Sequence, residues 1–149
     1  MQSQTRHEYV DGKIIAMTVG TPTNNRIIAN LLVALYTALT NQCYAVFVTV
    51  QRLWIPERRM ATYPDIMVMS EPLTYQERGT DKFTAYRTIP TFQEYLLISQ
   101  EKCYIEQFQK EGDCGFLKAY KNPPIITLKY LRVEVEIADI YNNVIFDNS

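Results

Sequence analysis

Histidine is nearly absent from this chain: His7 is the only one. It stands beside a turn with nothing at metal-ligand spacing nearby, so it reads as a surface residue rather than part of a histidine-built metal centre. Cysteine is scarce too. Cys43, Cys103 and Cys114 are odd in number and contain no CxxC pair. That excludes a disulfide framework and predicts reduced thiols in a cytoplasm. There is no surplus of positive charge: 15 Lys and Arg stand against 16 Asp and Glu, for a net charge of −1. The chain therefore lacks the global basic footprint of a nucleic-acid binder, which argues against tight non-specific DNA binding and leaves only a local basic cleft. No apolar run is long enough to span a bilayer, and the N-terminus shows no signal-peptide apolar region, so no membrane partner is expected. Repeats, low-complexity segments and linkers are missing as well.

What is present is an ordinary globular composition, 47% hydrophobic and 21% charged, which excludes disorder as the ground state. A length of 149 residues predicts a single domain over 1–149 with a real core. Residues 7–17 read as a β-hairpin around Asp11-Gly12, a strong type I′ signal. Ile27, Ile28, Leu31, Leu32, Leu35 and Leu39 recur at helical spacing and predict an amphipathic helix over 24–40, capped by Thr23 or Asn24. Arg26 and Asn30 would face elsewhere. Strands are expected at 43–50 and 52–55, a charged turn at Glu57-Arg58-Arg59, and a strand at 63–69 pairing antiparallel with its predecessor. A short helix is expected at 81–87, with Phe83 and Tyr86 on its buried face. Further strands follow at 94–99, 104–108, 116–120, 125–128 and 132–137. In the last of these Val133, Val135 and Ile137 alternate with Arg132, Glu134 and Glu136. The fold class is α+β or α/β, a helix packed on a mixed sheet. Leu31, Leu35, Ile66, Val68, Leu96 and Ile98 are expected to be buried together.

The stretch Ala61 to Pro72, ATYPDIMVMSEP, joins this pattern to chemistry. Ile66 to Met69 form an apolar run between two prolines, the pattern of a central strand covered on both faces. Asp65 then stands at the strand mouth. An ionised carboxylate is costly to bury unless it is bonded, paired or on a metal, so this Asp is either a backbone-bonded strand-start residue or a ligand. Metal-assisted phosphodiester hydrolysis needs carboxylates for Mg²⁺, a means of activating water and a cation near the developing charge. Asp65 and Lys82 are the right residue types. Glu71, Glu77, Glu94 and Glu101 are textual candidates for a second carboxylate. Pairing Pro64-Asp65 with Gln100-Glu101-Lys102 fails, because position 100 is Gln and the triplet reads as a turn. Glu94 starts a core strand and is the better stand-in. Arg52, Arg58 and Arg87 are candidate DNA contacts.

HEYVDGKIIAM, the capped helix, RLWIP, YPDIMVMSEP, DKFTAYRTIPTFQEYLLIS and the closing DIYNNVIF together resemble the Uma-two family of restriction-endonuclease-like proteins, over nearly the whole chain. That resemblance implies a PD-(D/E)XK nuclease fold and a Mg²⁺-dependent DNA endonuclease. It also implies Asp65 as metal ligand, Lys82 as a lysine migrated onto a helix, and Glu8 as an accessory acid. A homodimer is compatible with it. The chain departs from the family pattern in three places. A strand of EVLS type, whose Glu is the second ligand, is missing between 74 and 81, where TYQERG runs straight into TDKF. Asn24 and Val50 replace a common His and a common acidic residue. The resemblance then implies weakened or lost catalysis, with Glu94 the remaining candidate for the second ligand. The competing expectation is a non-catalytic binding or structural module that keeps the fold.

Overall fold

The computed structural model describes residues 7–17, 20–48, 53–55, 58–71, 91–112, 114–121 and 124–146. The expected helix at 81–87 lies outside these residues. Two compact units emerge, one from Met1–Val19 with Phe47–Phe92, the other from Gly20–Val46 with Gln93–Ser149.

In the first unit, β1 (His7–Val10) and β2 (Lys13–Ala16) form the predicted hairpin, with His7 opposite Ala16 and Val10 opposite Lys13. Asp11 and Gly12 have φ of 39° and 89°, the double positive φ that a type I′ turn demands. β4 (Leu53–Ile55) and β5 (Met60–Thr62) extend this into a four-stranded sheet of order β2-β1-β5-β4. Met60, Ala61, Thr62 and Ile55 are buried. The sequence pattern merged two elements here. The strand expected at 63–69 begins at Ile66, as β6 (Ile66–Ser70), and pairs with β3 (Tyr44–Val48) rather than with its predecessor. Pro64 explains the break. It has no N–H for a ladder and restricts Tyr63, so the chain leaves one sheet after Thr62 and joins another at Ile66. Ile66 to Met69 are half-buried, not closed in on both faces.

The second unit is organised by α1 (Pro22–Ala38). Its N-cap is Thr21, two to three residues before the expected caps: Thr21 Oγ1 accepts the Asn24 N–H at 3.0 Å, and Pro22 fills the first turn, where its missing N–H costs nothing. Ile27, Leu31, Leu35 and Leu39 are buried, as the stripe predicts. They close over β11 (Val133–Glu136) and α2 (Ile137–Ile140). The Asn30 amide donates to the Ile140 and Asn142 carbonyls at 2.9 Å each, and the Arg26 guanidinium donates to Asn143 O at 3.1 Å. β11 pairs with β10 (Ile125–Leu128) with its apolar side buried and Glu134 and Glu136 exposed.

β7 (Glu94–Ile98), β8 (Tyr104–Glu111) and β9 (Cys114–Lys121) form a three-stranded antiparallel sheet. Every ladder with a defined register is antiparallel. The ring of Phe108 lies over Gly115 on the neighbouring strand. A Cβ at 115 would stand 2.1 Å from a ring carbon, so only glycine fits. Contrary to the expected shared core, Ile66, Val68, Leu96 and Ile98 are only half-buried. β11 and α2 offer Val133, Val135, Ile137 and Ile140 to the helix stripe. Leu96 and Ile98 instead share their sheet face with Glu94, Gln107 and Gln109, whose hydrogen bonding a helical apolar stripe could not satisfy.

Candidate nuclease site

The first unit carries three of the predicted residues within the described segments. Asp65 sits in the bend between β5 and β6 and is exposed. Glu8 lies on β1, half-buried, one step along from the Tyr9–Ala61 pair, and so alongside Thr62. Thr62 is fully buried, and its hydroxyl donates to Glu8 Oε1 at 2.8 Å. Thr62 thus ties Glu8 to β5, the strand whose end leads, through Tyr63-Pro64, to Asp65. Arg58 is exposed in the turn before β5, while Asp65 follows its other end. The neighbouring Arg59 pairs with Asp11 at 3.3 Å on the surface. Lys82, Arg52 and Arg87 lie outside the described residues.

Glu94 stands in the second unit, at the first position of β7, where the register places it opposite Gln109. Three donors converge on its carboxylate: the Gln107 and Gln109 amides at 2.5 and 2.8 Å, and the backbone N–H of Lys129. Gln107 is itself held twice more. Its amide donates to Thr127 O at 2.8 Å, and its carbonyl accepts the Tyr120 hydroxyl at 2.5 Å. Lys118 Nζ donates to Gln109 Oε1 at 3.3 Å. Burial pushes the Glu94 carboxyl up from its ordinary value. The Gln109 and Gln107 bonds, the Lys129 amide and the Lys118 charge pull it back without cancelling the shift. Burial and the charge of Glu94 raise the Tyr120 phenol likewise.

Sequence reasoning missed Thr62, Gln107, Gln109 and Tyr120. A signal existed for the glutamines. They stand in phase with Ile105 along β8, so two polar residues occupy positions where alternation calls for apolar ones. Both are buried. Among the described residues, no three of His, Cys, Asp and Glu gather as a metal-holding group. A concavity of about 360 Å³ opens on the second unit beside Leu97, Glu101, Tyr104 and Glu106. Its lining holds carboxylates and no cation, which does not suit a phosphate backbone.

Comparisons with known proteins bear on the family and the fold. Residues 1–82 match the Uma2 model, described as "Putative restriction endonuclease". That segment contains Glu8, Thr62 and Asp65. The chain is 34% identical over 139 residues to "Uncharacterized protein sll1609" of Synechocystis sp. (strain ATCC 27184 / PCC 6803 / Kazusa), with 78% of each chain covered. Its fold matches the crystal structure of "a putative nuclease belonging to DUF820" from Anabaena variabilis ATCC 29413, with a TM-score of 0.69 at 13% identity, over 95% of this chain and 92% of that one. With more than half of its length matched by the family model, this chain belongs to the Uma2 family of restriction-endonuclease-like proteins.

Proposed function

We propose that this protein is a DNA endonuclease of the PD-(D/E)XK type whose phosphodiester hydrolysis is attenuated, with Mg²⁺ as the cofactor it would need. The observation that carries the reading is the contrast between two carboxylates. Asp65 is exposed in the family-matched segment, while Glu94, the candidate second ligand, already receives three hydrogen-bond donors. A Mg²⁺ ion usually takes one or two protein carboxylates with waters or phosphate oxygens around it. The described carboxylates fit a complete site poorly: Glu8 is held by Thr62, Glu94 by the glutamines, and no metal-holding group of His, Cys, Asp and Glu forms around Asp65 among the described residues. Within this reading Asp65 presents the ligand oxygen, Glu8 buttresses the strand beside it, and Lys82 supplies the cation.

The same contrast favours a second reading, a module that keeps the nuclease fold and binds without cutting. Incubation with supercoiled and linear DNA in Mg²⁺ and in Mn²⁺, beside an Asp65→Ala control, separates the two. Slow cleavage lost in Asp65→Ala supports the attenuated enzyme. Cleavage that survives Asp65→Ala removes the site. No cleavage in either metal supports the binding module.

A further inference from the structure

We propose that the concavity at the turn joining β7 to β8 is a binding site for a guanidinium group carried on a short aliphatic stem. Its lining divides into two parts. Leu97 and Ile98 make an apolar wall, and Leu97 is 53% exposed, surface that a bound stem would cover. Glu101, Tyr104 and Glu106 make the polar part, with Ser99 and Gln100 in the turn. The ladder register builds this juxtaposition. Leu97 stands opposite Glu106, and Tyr104, two residues before Glu106 on β8, projects from the same face. A volume of about 360 Å³ lies at the lower end of small-ligand sites.

The hydrogen bonding within the site selects the ligand. The Tyr104 hydroxyl already donates to Glu106 Oε1 at 2.8 Å, and the Ser99 hydroxyl accepts the Glu101 N–H at 3.2 Å. Gln100 Oε1 accepts the Thr21 hydroxyl at 2.7 Å. What remains is mainly acceptor: two carboxylates, neither in an ion pair among the described residues. A ligand that only donates complements them, and a guanidinium has five N–H donors and no acceptor. Its planar fork suits a carboxylate beside an aromatic ring, where it pairs and stacks at once. The Tyr104 ring already attracts a cation: Lys102 Nζ stands 5.4 Å from its centroid, within the roughly 6 Å reach of cation–π attraction. Lys102 is exposed and outside the lining, and its charge offsets one of the two carboxylates, so the site suits a single positive charge. The turn is also held in place beforehand. Thr21 ties it to the start of α1, and the Tyr141 hydroxyl bridges Ser99 O and Tyr104 O. Little ordering is left to weaken binding, and the small ligand in an open site sets the affinity in the millimolar range.

Titration of the isotope-labelled full chain, followed by its amide NMR shifts, tests this with agmatine, with N-acetyl-arginine N-methylamide, and with the matching citrulline and lysine derivatives. Saturable shifts centred on residues 97–106 with agmatine or the arginine derivative, and none with the neutral citrulline isostere, support the proposal. A response to agmatine alone makes the source a free small molecule, and a response to the blocked arginine opens the site to arginine in a polypeptide. No saturable shift with either of them, an equal response to the citrulline derivative, or tighter binding of the lysine derivative overturns the proposal. Glu106→Gln should weaken agmatine about tenfold, because the fork loses its charged partner. Leu97→Ala, at an exposed position where folding is not at stake, should weaken it about threefold through lost cover of the stem. Glu134→Gln, exposed on β11, should bind as the parent does. Unchanged affinity in both site variants, or an equal loss in Glu134→Gln, overturns the assignment.

Discussion

Glu94 and Tyr141 show how single polar groups hold the second unit in shape. The Glu94 carboxyl is raised above 4.5 by burial, so the folded state holds its proton more tightly than the unfolded chain does. Its contribution to stability is fully present below about 4.5 and is lost as pH rises through the raised value. Glu94→Gln removes that titration. Thermal melts at several pH values should show the difference between variant and parent moving in the variant's favour as pH climbs from 4 toward neutrality. A difference independent of pH would contradict the assignment. Tyr141, just past α2, takes the N–H of Tyr104 at 3.3 Å, while the Ser99 and Tyr104 carbonyls lie 2.9 and 3.0 Å from its hydroxyl. This fastens both ends of the turn between β7 and β8. Burial pushes this phenol up to about 12, so it remains a donor at any ordinary pH. Tyr141→Phe should cost about 1 kcal/mol in urea unfolding, since a half-buried turn loses the hydroxyl that bridges its two ends. An unchanged midpoint would show that the turn holds by itself.

At the scale of elements, α1 ties the second unit together. Its stripe buries Leu31 at 7% and Leu35 at 4% exposure against β11 and α2. Leu35→Ala should therefore destabilise by roughly 2–5 kcal/mol, since the lost contacts leave a cavity that the flanking strand and helix cannot fully close. Chemical denaturation measures this, and an unaltered midpoint would place the core elsewhere. The period-two and period-3.6 patterns located this helix, the 7–17 hairpin and the late strands closely, because each such pattern encodes which side is dry. They failed between 56 and 70. There Met60–Thr62 forms a separate strand beside β1, and Pro64 divides it from β6. A three-residue strand offers too few alternations to detect a period.

For the whole molecule, the balance of charge bounds how nucleic acid can be held. With a net charge of −1, any affinity must come from a few local cations. Contacts by Arg52, Arg58 and Arg87 alone would give a log–log dependence of DNA affinity on salt with a slope of magnitude roughly 3 or less. Fluorescence anisotropy with a labelled duplex at several salt concentrations measures this slope. A much steeper slope would require basic surface beyond these arginines, and an affinity indifferent to salt would require a partner of another class. The family-model match over 1–82 and the fold match over 95% of the chain bear on this scale and not on individual side chains.

The sequence alone determined the hairpin turn at Asp11-Gly12, the apolar stripe of α1, the alternation of β11, the α+β class and the family. Each rests on local periodicity, on the φ that a residue type tolerates, or on a string of short motifs. Tertiary structure alone decided that the stripe of α1 closes over β11 and α2, that Thr62 holds Glu8, and that Gln107 and Gln109 converge on Glu94. Those outcomes depend on which strands become neighbours. Residues far apart in sequence meet only once the ladders are in register, and a polar side chain can be buried only where that register brings it a partner.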